Sequence, residues 1–112
     1  MEPTPPTGLL VTVERAEHRA VVVVAGEIEY GTAHSLRNAL ADVARDRAAE
    51  LVVDLADVTF MDSTGLSLLL QVQARCENDG SRLVLRRPSA RVLRLLGVSG
   101  LTDLFEIDAQ PT

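Results

Sequence analysis

The stretch that decides the fold is Leu51-Val-Val-Asp-Leu-Ala-Asp-Val-Thr-Phe-Met-Asp-Ser-Thr-Gly-Leu66. Its first five residues are mostly apolar and predict a strand buried on both faces, as in a parallel sheet. Residues 56–62 predict a connection, and residues 65–78 carry apolar side chains at helical spacing. The start of that helix has three neighbouring residues of the types that cap helix N-termini, Asp62, Ser63 and Thr64.

Strands and helices alternate on both sides of this stretch. Residues 9–14 and 20–25 predict two strands joined by a charged turn, and we expect them to pair as a hairpin. Residues 33–43 predict a helix that Thr32 caps. The later segments predict a strand at 83–85, a helix that Ser89 caps and a strand at 104–107.

This order of elements defines the fold class. Helical crossovers between successive strands require parallel pairing after the opening hairpin. We therefore predict one α/β domain over residues 9–107, in which helices pack on a mixed sheet with an N-terminal antiparallel hairpin and parallel strands. Residues 1–8 and 108–112 are predicted to be loose tails.

Composition argues against nucleic acid as a direct partner. The formal net charge is −5, and the eleven basic residues are scattered along the chain. Aromatic residues make up only 3% of the chain, too few for a base-stacking platform. Recognition is expected to rest on backbone, aliphatic and charged groups.

The sequence favours a cytoplasmic protein without membrane insertion. Cys76 is the only cysteine, so no internal disulfide can form. The apolar run at residues 20–25 is far shorter than the ~20 residues that span a bilayer. Residues 1–8 are rich in Pro and Thr and lack the basic start and apolar run of a signal peptide.

The residues for enzymatic chemistry do not form a recognisable pattern. His18 and His34 lie far from each other and from Cys76, so no zinc-ligand spacing exists. A phosphate-binding loop requires a lysine, and the chain has none. We expect no catalytic residues, no cofactor, no metal site and no enzymatic activity.

The central run closely resembles the signature of STAS domains, specifically bacterial anti-sigma factor antagonists. The resemblance extends to Gly26-Glu-Ile-Glu29, which is similar to the Gly-Glu-Leu-Asp loop of that family. It also includes Arg94-Leu-Leu-Gly-Val-Ser-Gly-Leu101, similar to the segment that ends its third helix, so that about residues 9–107 are covered. In that family, the serine directly after the loop aspartate is phosphorylated by a partner kinase, and this position corresponds to Ser63.

The resemblance implies a partner-switching function. The unphosphorylated protein would bind an anti-sigma factor serine/threonine kinase and free a sigma factor. Phosphorylation of Ser63 would end this binding until a protein phosphatase removed the phosphate. Helical spacing predicts a broad apolar sector on this helix, most of it core, with Leu68 on one edge. Leu68 is expected to form, with the exposed helix start near Leu66, an apolar contact surface beside Ser63. The predicted partner-binding residues are Glu27, Glu29, Tyr30, Asp62, Thr64, Gly65, Leu66 and Leu68.

Two departures from the family bear on the partner. Glu29 stands where the family usually has Asp, and its longer side chain is expected to alter partner choice. The chain also stops soon after the last predicted strand, whereas many relatives continue into another helix. We expect any contact made through that helix to be missing.

Other interpretations remain open from the sequence. The chain is alternatively a STAS interaction module of another signalling scaffold or of a lipid-transport complex, with Ser63 only capping a helix. The run Arg86-Arg-Pro-Ser89 resembles a site for basophilic kinases, although Ser89 is better explained as a cap. An enzyme or nucleotide-hydrolysing protein is the third alternative.

Overall fold

Residues 8–109 are described by a computed structural model, and strands and helices alternate along them. The first two strands, β1 and β2, cover Leu9–Arg15 and Arg19–Ile28. The remaining elements are α1 Ala33–Ala44, β3 Glu50–Met61, α2 Ser63–Asp79, β4 Arg82–Arg86, α3 Ala90–Val98 and β5 Glu106–Asp108, with a 3-10 turn at Thr102–Leu104. This is the predicted order of elements.

The strands form a mixed sheet in the order β1-β2-β3-β4-β5. Strands β1 and β2 are antiparallel, from Leu9 opposite Gly26 to Arg15 opposite Ala20. The pairs β2–β3, β3–β4 and β4–β5 are parallel. The predicted α/β fold, with an N-terminal hairpin and parallel strands, is confirmed. Because each crossover adds the next strand on the same side, right-handed connections bring the helices to one face.

The two faces of the sheet are covered differently, because side chains alternate along each strand. One face packs against α1, α2 and α3 and forms the main core. Its fully buried members include Val22, Val24, Val53, Leu55, Leu85, Leu36, Leu69 and Leu96. The opposite face carries a smaller buried row made of Val21, Val52 and Val84.

Charged side chains cross that second face from strand to strand. Arg19 Nε lies 3.1 Å from Glu50 Oε1, and Arg82 Nη1 lies 3.0 Å from Glu50 Oε2. Arg82 also pairs with Glu106 on β5. The aliphatic stems of these side chains cover the valine row while their charged ends remain in water.

Strands β2 and β3 are longer than predicted. Their pairing continues to Ile28 opposite Met61, so the predicted connection at residues 56–62 is strand up to Met61. The β2–β3 ladder has two register shifts in this part, and β3 carries one extra residue at each of them. Gly26 at one shift has φ +109°, and a β-carbon there would lie 2.2 Å from the Gly8 carbonyl oxygen, so only glycine fits.

The predicted helix caps have different outcomes. The Ser89 hydroxyl accepts a hydrogen bond from the Val92 amide at 3.4 Å, which confirms that cap. The Thr32 side chain makes no capping hydrogen bond to α1, so the prediction for Thr32 is wrong. Its hydroxyl instead bonds within the loop that precedes the helix.

The predicted tails lie mostly outside the described residues, since only Gly8, Asp108 and Ala109 belong to both. The Gly8 carbonyl accepts a hydrogen bond from the Glu27 amide at 2.9 Å. Asp108 is the last residue of β5, one residue beyond the predicted end of the domain.

Asp54 is a carboxylate buried within β3, with only 2% of its surface exposed. Its Oδ2 accepts hydrogen bonds from Arg86 Nε at 2.9 Å and Arg87 Nη2 at 2.6 Å, and its Oδ1 accepts one from the Ala56 amide at 3.0 Å. The Arg87 amide in turn donates to the Asp108 carbonyl, so this network connects the middle of β3 with the ends of β4 and β5. Burial by itself raises the pKa of Asp54, but the hydrogen bonds to Arg87, Ala56 and Arg86 hold it below its ordinary value.

We predict that Asp54→Asn lowers the free energy of unfolding at pH 7 by about 2–4 kcal/mol, because it leaves two guanidinium groups without their carboxylate. Since folding lowers the pKa of Asp54, its contribution is complete above the unfolded-state pKa of about 3.9 and is lost as the pH falls through the folded-state value. Urea unfolding of both proteins at pH 7 and in acid checks this.

The control for Asp54→Asn is Asp57→Asn, which alters an exposed carboxylate of the same strand. Its effect is expected within about 0.5 kcal/mol. A stability difference between wild type and Asp54→Asn that stayed constant from pH 7 to pH 3 would contradict the assignment.

Candidate functional site

Ser63 is the first residue of α2 and is exposed. A single residue, Asp62, separates it from the end of β3 at Met61. The Ser63 hydroxyl makes no hydrogen bond to any residue within 8–109. It is therefore a free hydroxyl held at a fixed position by the strand before it and the helix after it.

Asp62 caps α2. It has extended backbone angles, and its Oδ1 accepts hydrogen bonds from the amides of Thr64 at 2.8 Å and Gly65 at 3.4 Å. Of the three candidate caps, Asp62 therefore performs this role. The alternative in which Ser63 is only a cap loses its structural basis.

Gly65 allows the start of α2 to approach the sheet closely. A β-carbon at this position would lie 2.5 Å from Met61 Cγ and 2.8 Å from Ile28 Cγ2. Gly65 is itself buried, so it contributes to the site by allowing this close approach and not by contacting a partner. The Asp62 amide also donates to the Ile28 carbonyl at 3.1 Å, which joins the helix start to the end of β2.

The loop between β2 and α1 lies beside this helix start and is organised by Thr32. The Thr32 hydroxyl donates to the Glu27 carbonyl at 2.6 Å and accepts from the Glu29 amide at 3.0 Å. Glu27 is exposed and Glu29 is half-buried, as is Asp62. Three carboxylates thus belong to the Ser63 edge, which we define as residues 27–30 and 60–66.

Two of the three aromatic side chains in the protein are exposed at the Ser63 edge. Tyr30 in the loop is 87% exposed, and Phe60 near the end of β3 is 39% exposed. Phe60 pairs with Glu27 in the β2–β3 ladder. Sequence reasoning missed Phe60 because it assigned residue 60 to a connection. Two features of the sequence could have identified Phe60 as a site residue: aromatic residues are rare in this chain, and Phe60 lies two residues before the capping aspartate.

The remaining predicted site residues on α2 differ in exposure. Thr64 and Leu66 are half-buried, and Leu66 packs against the main core. Leu68 is only 3% exposed, so the prediction that it lies exposed beside Ser63 is wrong. Leu68 belongs to the main core and lies on the side of α2 that faces α1.

Other chemistry has little support among residues 8–109. No group of three or more His, Cys, Asp or Glu side chains there is arranged to hold a metal ion. Cys76 is buried, and this burial raises the pKa of its thiol, which disfavours the reactive thiolate. In this part of the chain, no helix has the length and apolar character to cross a bilayer.

A family model described as Mlab, STAS domain matches residues 11–106. The chain belongs to the STAS domain family. A curated relative of this STAS domain is the anti-sigma-B factor antagonist of Bacillus subtilis (strain 168), 36% identical over 100 residues. This match covers 89% of the chain and 91% of the relative.

Solved structures support the same grouping. The crystal structure of an anti-sigma factor antagonist from Mycobacterium paratuberculosis has a TM-score of 0.79 and 31% identity, covering 96% of this STAS domain and 92% of that chain. Unphosphorylated SpoIIAA, also called an anti-sigma factor antagonist, has a TM-score of 0.71 at 21% identity, covering 88% and 87%, and shares the fold. All three proteins are called antagonists of an anti-sigma factor.

We predict that Leu68→Ala lowers the free energy of unfolding by about 2–5 kcal/mol, because it leaves a cavity in the core. Chemical denaturation followed by circular dichroism measures this. Gln71→Ala removes an exposed side chain from the same helix and is expected to cost less than about 0.5 kcal/mol. A loss of stability below about 1 kcal/mol for Leu68→Ala would contradict the placement of Leu68 in the core.

Proposed function

We propose that this STAS domain is an anti-sigma factor antagonist whose unphosphorylated form binds an anti-sigma factor with serine kinase activity and thereby frees a sigma factor. Phosphorylation of Ser63 by that kinase ends the interaction, and a protein phosphatase acting on phosphoserine restores it. The protein acts in the cytoplasm as a binding partner, not as an enzyme. The observation that carries the proposal is the exposed Ser63 hydroxyl, which has no hydrogen-bond partner within residues 8–109.

The relatives support the class of partner. The Bacillus subtilis relative is called an anti-sigma-B factor antagonist, and this chain covers 91% of its length. Because the match covers nearly the whole relative, we expect the surface through which such an antagonist binds its partner to lie on the domain that the two proteins share. The Ser63 edge is the part of this domain that combines an exposed hydroxyl, carboxylates and exposed aromatic side chains.

The fold is expected to tolerate phosphate on Ser63. A phosphoserine adds about 1.5 to 2 negative charges at neutral pH. At the first position of a 17-residue helix, these charges lie next to backbone amides and the positive end of the helix dipole. The Asp62 carboxylate already accepts hydrogen bonds from two of those amides. Its repulsion of the phosphate therefore partly offsets the stabilisation by the helix N-terminus.

The partner interface is expected to respond more strongly than the fold. Glu27, Glu29 and Asp62 already place three carboxylates at the Ser63 edge. A dianion added among them would be desolvated on docking, against a partner surface shaped for a neutral hydroxyl. Repulsion between the phosphate and these carboxylates, together with burial of the phosphate without a positive partner, then weakens binding while the domain stays folded.

The first prediction of this proposal concerns the charge on residue 63. Ser63→Asp is expected to weaken binding to the cognate anti-sigma factor kinase by about tenfold or more, whereas Ser63→Ala retains it. Isothermal titration calorimetry measures the affinities, and thermal unfolding shows whether both variants fold like the wild type.

Two controls accompany this comparison. Ser99→Asp adds the same charge at an exposed position just after α3, at the opposite edge of the sheet, and should leave binding unchanged. Ser67→Ala removes the next exposed hydroxyl of α2 and should leave phosphorylation by the kinase and ATP intact, while Ser63→Ala abolishes it. Equal affinity of Ser63→Asp and Ser63→Ala would refute the switch. If no anti-sigma factor kinase of the source genome phosphorylated Ser63, a STAS module of another assembly would be favoured.

The second prediction concerns the exposed aromatic side chains. The double variant Tyr30→Ala/Phe60→Ala is expected to weaken kinase binding by about 2 kcal/mol or more, because aromatic anchors commonly dominate interface energy. Tyr30→Ala alone should leave thermal stability nearly unchanged, since Tyr30 is 87% exposed. Phe60 is only 39% exposed, so its truncation is expected to cost some stability, and thermal unfolding of the double variant shows that it remains folded. Val98→Ala removes a side chain that is 78% exposed near the end of α3 and serves as the control. Unchanged affinity of the double variant would exclude these side chains from the interface.

A further inference from the structure

A groove lies between α1 and α2, towards the edge of the sheet opposite to Ser63. It has a volume of ≈ 120 Å³ and is walled by residues at helical spacing from both helices. On α1, the small side chains of Ala41 and Ala44 leave open space. The floor is made by Ala20 and Leu51, near the starts of β2 and β3.

The interior of this groove is apolar and narrow. Its walls include Leu40, Val43, Leu68, Val72 and Cys76. Because the groove reaches the sheet between two helices, a third helix, about 10 Å across, does not fit into it. Its volume approaches the roughly 150 Å³ of an engineered apolar cavity in another protein that binds benzene. The occupant that fits is therefore a short alkyl chain or a single ring.

The charged residues around the groove are predominantly positive. Arg37, Arg47 and Arg75 line it, and all three are exposed. None of them forms an ion pair with a carboxylate in the described part of the chain. Arg91 and Arg94 on α3 are likewise without an ion pair there, whereas Arg15, Arg19, Arg45, Arg82, Arg86 and Arg87 form one. Asp79 is the acidic residue among the lining residues, so three positive charges face one negative charge. This positive cluster occurs on a chain with a formal net charge of −5.

We propose that the groove binds a small amphiphilic anion, namely a short alkyl chain with a carboxylate or phosphate head. The chain lies on the apolar walls, and the head pairs with the arginines, because the guanidinium fork matches carboxylate and phosphate oxygens. This site is separate from the Ser63 edge, and the proposal does not depend on the switch described above.

A titration of the ¹⁵N-labelled protein with hexanoate tests the proposal. The backbone amides of residues 37–47 and 68–79, and the side-chain Nε–Hε signals of Arg37, Arg47 and Arg75, are expected to shift together and to saturate. Hexyl phosphate in a second titration distinguishes a phosphate head from a carboxylate head. Hexylammonium carries the same chain with the opposite charge, and acetate carries the head without the chain. Both are expected to bind at least about tenfold more weakly.

Matched variants separate the charge from the apolar space. Arg75→Gln is expected to weaken hexanoate binding several-fold, and Arg91→Gln on α3, outside the groove, is the control. Ala41→Leu fills the groove and is expected to abolish binding, whereas Ala39→Leu on the same helix does not line the groove and should leave binding intact. Thermal unfolding of each variant confirms that it is folded.

Three results would overturn the proposal. Equal affinity for hexanoate and hexylammonium would show that the arginines do not select an anionic head. Chemical-shift changes confined to residues outside the two helices, or no saturable change at millimolar hexanoate, would show that the groove does not bind this anion. If the groove amides ignored both anions but shifted on addition of the anti-sigma factor kinase, the groove would be part of a protein interface instead.

Discussion

The structure depends on a one-residue junction between β3 and α2. Asp62 ends the strand ladder through its amide and begins the helix through its carboxylate, so the strand and the helix cannot move independently. Gly65 then lets the helix lie against Ile28 and Met61 without a clash. Together these constraints display Ser63 on a rigid support, where a change in its charge alters the surface without requiring a change in the backbone.

Charge is divided between the two ends of the helical layer. Carboxylates of Glu27, Glu29 and Asp62 belong to the Ser63 edge, where α2 begins. Unpaired arginines surround the groove towards the end of α1 and α2. The second face of the sheet uses its charges differently, because Arg19, Glu50, Arg82 and Glu106 neutralise one another in a row. The two surfaces proposed for recognition thus carry opposite charges.

Sequence patterns were sufficient for the order of elements and for placing Ser63 at the start of α2, because continuous apolar runs and helical spacing report burial locally. The choice of Ser63 as the phosphorylation site came from the resemblance to a known family. They failed where burial depends on a neighbour distant in sequence. Spacing places Leu68 at one edge of an apolar sector, and only the packing of α2 in the folded domain decides that Leu68 is buried. The extension of β3 to Met61 depends on its pairing with β2, and Phe60 was missed for the same reason. Thr32 had the residue type of a cap, but its hydroxyl is taken by the preceding loop.

Amide hydrogen exchange of the protein phosphorylated on Ser63 and of the unmodified protein, each alone and with the anti-sigma factor kinase, tests the central claim most directly. The account predicts that the two forms exchange alike when alone, except near residues 62–66. With the kinase, only the unmodified form should gain protection at residues 27–30 and 60–66. Faster exchange throughout β3 and α2 after phosphorylation, or equal protection of both forms by the kinase, would contradict the account.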